Sequence, residues 1–306
     1  MKVLVLGAGG IGGYFGGRLA QAGADATFLV RERRAEQLAR DGLTIRSPFG
    51  DARLSVQTVL AGHLTPVYDI VLITCKAYDL EAAMAAIAPA VGPETALVPV
   101  LNGVRHIEDL EARFGPQRVL GGLVQIAATL APGGEVHHLN KLHLLVFGER
   151  DGSLTPRGEA FARVCASALF ESRLSRTIYL ELWEKFVFLA TLAGMTCLMR
   201  ASVGAIMKAA DGEALMRDML EECRKVAATS GTPPRAEAMA RYAGLLTERD
   251  SSFTASMLRD MEREGPIEGE HIVGDMLRRA RKFGISAPLL RAAYAHLQAY
   301  EATRKG

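Results

Sequence analysis

Paired cysteines, metal-binding clusters, charge of one sign and long unbroken apolar runs are all scarce in this chain, and each scarcity excludes something. There are four cysteines, Cys75, Cys165, Cys197 and Cys223, in 306 residues. They lie far apart in apolar or helical contexts and form no CxxC pair. Reduced thiols of a cytoplasmic protein are expected rather than a disulfide framework. No HExxH, no Cys/His cluster and no run of carboxylates suggests a metal. The formal net charge is +2, too small to argue for a nucleic-acid or acidic membrane surface. No stretch reaches the roughly 20 unbroken apolar residues of a membrane span. The first strand begins at Lys2, so no signal or transit segment is expected. With 49% hydrophobic and 23% charged residues, the composition is that of a soluble globular protein large enough for two cores.

Glycine is plentiful, with 31 residues, and its arrangement at the start is informative. The apolar run 3–6 leads into Gly7-Ala8-Gly9-Gly10-Ile11-Gly12, which has GxGxxG spacing, and a helix is expected over 11–22. A buried strand that turns sharply into a helix needs glycine for the turn and for close backbone approach. The helix start then offers N–H groups and a positive dipole end to an anion. Gly7, Gly9, Gly10, Ile11 and Gly12 are therefore the candidate pyrophosphate cradle, and Gly16 leaves room for the helix to lie close to the sheet.

The first half continues as alternating strands and helices, with strands over 26–30, 69–75 and 96–101 and helices over 32–40 and 80–87. This pattern implies a parallel sheet covered on both faces. Residues 135–139 and 142–147 read as antiparallel hairpin strands around Pro132-Gly133-Gly134, and 155–170 as a helix. From residue 177 onward only helices are expected, over 177–199, 202–229, 235–247, 254–263, 268–283 and 288–303. The fold class is an α/β Rossmann-type domain over 1–176 followed by an all-α domain over 177–306. A cleft between two such domains is a common place for a small-molecule site.

Several residues could carry chemistry. Arg31 follows the second strand, where an arginine accommodates the 2′-phosphate of NADP and an acid bonds the 2′-OH of NAD. Arg33 and Arg34 stand close behind, so NADP is favoured, although Glu32 would suit NAD if the strand ended one residue later. Lys76 and Asn102 follow the ends of two further strands, the side on which ligands of open α/β sheets sit. Lys185 enters a helix that becomes apolar on every face beyond it. Such a lysine snorkels, pairs with Glu181 one turn back, or works with a lowered pKa as a proton donor. Ser256 and Glu268 lie near the starts of later helices, where Glu268 also complements a helix dipole. His271 is assigned no role, because the sequence around it holds no triad or metal-ligand motif.

Taken together, these features resemble the ketopantoate reductase (2-dehydropantoate 2-reductase) family over the whole chain. The resemblance rests on the Gly7–Gly12 fingerprint, Lys76-Ala77-Tyr78, Leu101-Asn102-Gly103, Leu182-Trp183-Glu184-Lys185, and Ser256-Met257-Leu258-Arg259-Asp260 followed by Glu268. It implies NADPH-dependent reduction of a 2-oxo acid, with 2-dehydropantoate as leading substrate, and a place in pantothenate biosynthesis. By resemblance Lys185 is the general acid, Asn102 contacts nicotinamide and substrate, and Lys76 and Arg31 lie near the cofactor. Ser256 and Glu268 bind substrate, with Glu268 also holding Lys185. A homodimer is left open. One and two helical turns beyond Lys185, where the family commonly carries asparagines, this chain has Leu189 and Ala193. Another branched 2-oxo acid, a related hydroxy-acid dehydrogenase and a non-catalytic NADP(H) sensor therefore remain alternatives.

Overall fold

The computed structural model describes residues 1–305. The chain divides into two compact units. Unit 1 holds Met1–Leu101 and His106–Tyr179, and unit 2 holds Asn102–Arg105 and the described residues from Leu180 on. The short segment that contains Asn102 is thus folded into the helical unit, although β-structure precedes it in sequence.

The ten strands among the described residues all lie in unit 1. They are β1 (Lys2–Leu6), β2 (Asp25–Leu29), β3 (Leu43–Arg46), β4 (Ala52–Leu54), β5 (Gln57–Val59), β6 (Ile70–Ile73), β7 (Ala96–Pro99), β8 (Gly121–Leu130), β9 (Val136–Gly148) and β10 (Glu171–Leu174). The first sheet has the order β5-β2-β1-β6-β7 and is parallel throughout. Its central strands are continuous apolar runs because both faces are covered, and Val3, Leu4, Val5 and all of β6 are fully buried. The second sheet is mixed, with the order β10-β9-β3-β4 and β8 paired antiparallel to β9. The expected hairpin is real, but its two return segments are one long strand, β9. Of the expected strands, 69–75 and 96–101 are shorter. Four short strands escaped the sequence reading, β3, β4, β5 and β10, each only three or four residues long, and so did the helix over Arg105–Phe114.

Helices of unit 1 are α1 (Gly10–Gln21), α2 (Glu32–Asp41), α3 (Leu80–Ile87), α4 (Arg105–Phe114, whose first residue belongs to unit 2) and α5 (Pro156–Ala166). The glycines of α1 explain its place between the two sheets. On one face, a Cβ at Gly16 would come within 2.9 Å of Phe28 and Val5 of the parallel sheet. On the other, a Cβ at Gly13 would meet Val136 at 2.6 Å and one at Gly17 would meet Ile45 at 2.7 Å. A helix bare on both sides can lie close to two sheets at once, which a helix with ordinary side chains cannot.

Unit 2 begins within α6 (Ile178–Met199) and continues through α7 (Val203–Ile206), α8 (Gly212–Thr229), α9 (Ala236–Leu246), α10 (Ser256–Glu262), α11 (Asp275–Lys282) and α12 (Pro288–Lys305). By length and composition α6 could cross a membrane, but most of that window is buried within the protein, as the core helix of a helical bundle requires. Two buried carboxylates tie helices together. Glu184 accepts both forks of the Arg235 guanidinium, at 2.8 and 2.6 Å, and the Arg235 backbone N–H that opens α9. Glu222 accepts the Leu289 and Leu290 N–H groups, capping α12. The single helix expected over 202–229 is broken into α7 and α8. The helix expected over 268–283 starts with a π-helical turn, Glu270–Gly274.

Candidate active site

In the glycine loop the three fingerprint positions have three different tasks. Gly7 has φ of +90°, the left-handed region that only glycine adopts at little cost. Gly12 faces Gly7 and Thr74 so closely that no Cβ fits. Gly9 caps α1 with no side-chain hydrogen bond, and a Cβ there would meet nothing within 4 Å. Turn, close helix–strand packing and an open approach to the helix start are the requirements of a dinucleotide pyrophosphate, and these residues fit it. Gly10 answers to something else: a Cβ would stand 2.8 Å from the Ala128 carbonyl oxygen of β8. Its smallness serves the second sheet.

Arg31 is exposed at the N-terminal cap of α2, just past β2, where a 2′-phosphate would be read. Arg34 has another role, which the sequence did not disclose. Its guanidinium donates to the Ala8 carbonyl inside the glycine loop at 2.9 Å and to the Gly134 carbonyl of the β8–β9 turn at 3.0 Å. It braces the loop from behind. Lys76 is half-buried beyond the end of β6, next to Thr74, whose hydroxyl donates to the Leu6 carbonyl of β1 at 2.7 Å.

Asn102, Lys185 and Glu268 all belong to unit 2, and Glu268 acts electrostatically on Lys185. Lys185 is half-buried on α6, and desolvation pulls its ammonium down to about 8, with the Glu268 carboxylate pulling the other way. Glu268 itself is buried, just ahead of the π-helical turn. Gly103 has φ of +85°, and a Cβ there would stand 3.1 Å from the His271 carbonyl oxygen and 3.9 Å from the Phe186 ring. The Asn102-Gly103 turn is thereby seated between the residue after Lys185 and the turn after Glu268. A second tie reinforces it. The Glu270 carboxylate accepts from the Tyr294 hydroxyl and pairs with Arg278, and it stands 4.0 Å from Arg105. Neither the π-helical turn nor the Glu270 bridge has a sequence signature, beyond the acid–base spacing of Glu270 and Arg278. Ser256 is exposed as the first residue of α10, and no hydrogen bond among the described residues joins it to the other three. His271 contributes its carbonyl to the seat of Gly103. Among the described residues no group of His, Cys, Asp or Glu is placed to hold a metal ion.

Known proteins carry the same pattern. Residues 3–152 match the family described as Ketopantoate reductase PanE/ApbA, and residues 177–301 match Ketopantoate reductase PanE/ApbA C terminal. The chain is 38% identical over 304 residues to Uncharacterized oxidoreductase YkpB of Bacillus subtilis, covering 99% of this chain and 100% of that one. It is 28% identical over 290 residues to the 2-dehydropantoate 2-reductase of Archaeoglobus fulgidus, covering 95% and 94%. The crystal structure of the PanE/ApbA family ketopantoate reductase from Ralstonia eutropha superposes with a TM-score of 0.90 at 25% identity, covering 100% of both chains. The chain therefore belongs to the ketopantoate reductase PanE/ApbA family of NADP(H)-dependent oxidoreductases.

Proposed function

We propose that the protein reduces the carbonyl of a 2-oxo acid with NADPH, with 2-dehydropantoate as the reference substrate and Lys185 as the general acid. One observation carries this reading. Lys185 lies half-buried on α6 within electrostatic reach of the buried Glu268 carboxylate, where burial lowers its ammonium to about 8, and the Asn102-Gly103 turn packs against Phe186 and the turn after Glu268. Burial brings a lysine into the range where proton donation near neutral pH is efficient.

NADPH, when bound, supplies the hydride. Gly7, Gly9, Ile11 and Gly12 would hold its pyrophosphate, Gly10 lets the loop close on β8, and Arg31 and Lys76 supply positive charge for its phosphates. At the substrate, Lys185 donates a proton to the carbonyl oxygen as negative charge develops there. Asn102 presents an amide donor and an acceptor that orient the reacting groups. Glu268 keeps the Lys185 ammonium charged and in place, and accepts from a substrate hydroxyl where there is one. Ser256 offers a further hydroxyl from the start of α10.

Lys185→Ala tests the assignment. NADPH affinity, followed by nucleotide fluorescence, should be unchanged, while turnover of a 2-oxo acid falls by about 100-fold or more. Undiminished turnover would remove Lys185 from the mechanism. Tight NADPH binding by the unaltered protein without turnover of any 2-oxo acid would favour a sensor. Oxidation of a 3-hydroxy acid with NAD, and indifference to 2-dehydropantoate, would favour a dehydrogenase of different substrate.

A further inference from the structure

Beyond Lys185 the α6 face is apolar where a hydroxyl-bearing substrate would want polar partners. Helical geometry puts Phe188 about 60° to one side of Lys185 and Leu189 about 40° to the other, each roughly one turn along. Ala193, a turn beyond Leu189, is buried. No side chain in this set can hydrogen-bond. Phe188 instead starts an aromatic stack. Its ring lies 4.8 Å from Tyr242 of α9 at 28° and 6.1 Å from Phe253 at 19°.

Phe253 is the unusual member. It is a large apolar residue that is 41% exposed, yet it is firmly held. Its carbonyl accepts from Val203 N–H at 2.9 Å, and the Ser251 carbonyl accepts from Gly204 N–H at 2.8 Å. A Cβ at Gly204 would stand 2.5 Å from the Ser251 nitrogen, so the segment is clamped onto α7. Three residues on, Ser256 opens α10. The stack thus links the flank of the proton donor to the segment leading to Ser256 and ends in an open aromatic ring on a tethered backbone. An open ring of this kind suits an apolar ligand, because contact buries its exposed apolar face.

We propose that the substrate is a 2-oxo acid with a bulky apolar carbon chain, aryl or branched alkyl, and that Phe188 and Phe253, with Leu189, hold that chain, the buried Tyr242 ring backing Phe188. This rests on the 2-oxo acid reductase reading given above. A pocket of this kind gains from each buried apolar group and discriminates only modestly against an added hydroxyl. The preference over 2-dehydropantoate is therefore graded and measurable.

The test is a comparison of kcat/KM with NADPH for 2-dehydropantoate, its hydroxyl-free analogue trimethylpyruvate, phenylglyoxylate and pyruvate. Trimethylpyruvate or phenylglyoxylate should exceed 2-dehydropantoate by about tenfold or more. In Phe253→Ala, the ratio of phenylglyoxylate to pyruvate should fall at least several-fold, with the loss in KM rather than kcat. In the double variant Leu189→Asn, Ala193→Asn, the ratio of 2-dehydropantoate to trimethylpyruvate should rise. Should the buried Ala193→Asn change prevent folding, Leu189→Asn alone, at a half-buried position, reads the same shift. A preference for 2-dehydropantoate that is unmoved by Phe253→Ala overturns the proposal and leaves the reductase reading intact. Absence of turnover on all four acids removes the reductase reading and this proposal with it.

Discussion

At the scale of a single residue, Lys185 connects the fold to a pH dependence. Its ammonium is about 8 in the folded protein against an ordinary 10.5, because desolvation outweighs the Glu268 carboxylate. A general acid must carry its proton. Carbonyl reduction should therefore be flat below pH 8 and fall about tenfold per unit above it, while the reverse oxidation rises over the same range. Glu268→Gln removes the charge that favours the ammonium, so this limb should move to lower pH in a pH–kcat profile. A limb that stays in place would refute the coupling between the two side chains. Stability follows the same group in the opposite sense. Between about 8 and 10.5 the unfolded chain holds more protons than the folded one, so this group's contribution to stability rises with pH. Below 8 both states are protonated and the burial cost is present in full. Lys185 was visible in the sequence because a lysine entering an all-apolar helix is out of place. Arg34 was not, because an arginine near the start of a charged helix looks the same whether it binds phosphate or the Ala8 carbonyl.

At the scale of an element, α1 separates two meanings of glycine that one motif conceals. Gly9→Ala adds a methyl where nothing lies within 4 Å, at a backbone φ of −85° that alanine accepts. Its stability in urea should change by less than about 0.5 kcal/mol, while NADPH affinity drops at least tenfold because the methyl takes the open approach to the helix start. Gly10→Ala meets the backbone of Ala128 and Thr129 at 2.8 to 3.0 Å. A strand backbone gives way less readily than a side chain, so this change should cost about 1–3 kcal/mol, more than any gain in helix propensity. Equal stability of the two variants would remove the distinction. The same contrast explains what could be read from the sequence. β1, β6 and β7 are apolar runs, and β2 follows the first helix as expected of a strand in a parallel sheet, a pattern that survives without the structure. β3, β4, β5 and β10 are three or four residues long, too short to show a period, and β3 finds one of its partners far along the chain, as Ile45 does with Val136. No local signal can carry such a pairing. Helix α4 was overlooked behind the Asn102-Gly103 turn, and the π-helical turn, which sets the spacing between Glu268 and Asp275, has no periodicity of its own.

At the scale of the whole molecule, the chain passes between the two units after Leu101, after Arg105 and after Tyr179. The middle passage is four residues long, folded into unit 2 and flanked on both sides by elements of unit 1. Neither unit can lose its structure without releasing an end of that segment, which carries Asn102. This connectivity predicts coupled unfolding. It can be followed because the single tryptophan, Trp183, is buried in α6 of unit 2, whereas the glycine loop lies in unit 1. Tryptophan fluorescence therefore reports unit 2 alone, and far-ultraviolet circular dichroism reports both. Thermal transitions by the two probes should coincide. NADPH at about 100 times its Kd stabilises the form that binds it by about 2.7 kcal/mol, and both transitions should rise together by several degrees. Arg31→Ala should reduce the NADPH-induced rise and leave an NADH-induced rise unchanged, since only the 2′-phosphate is affected. A tryptophan transition that ignores NADPH while the dichroism moves would mean that the units unfold separately, and that the Asn102 segment transmits nothing.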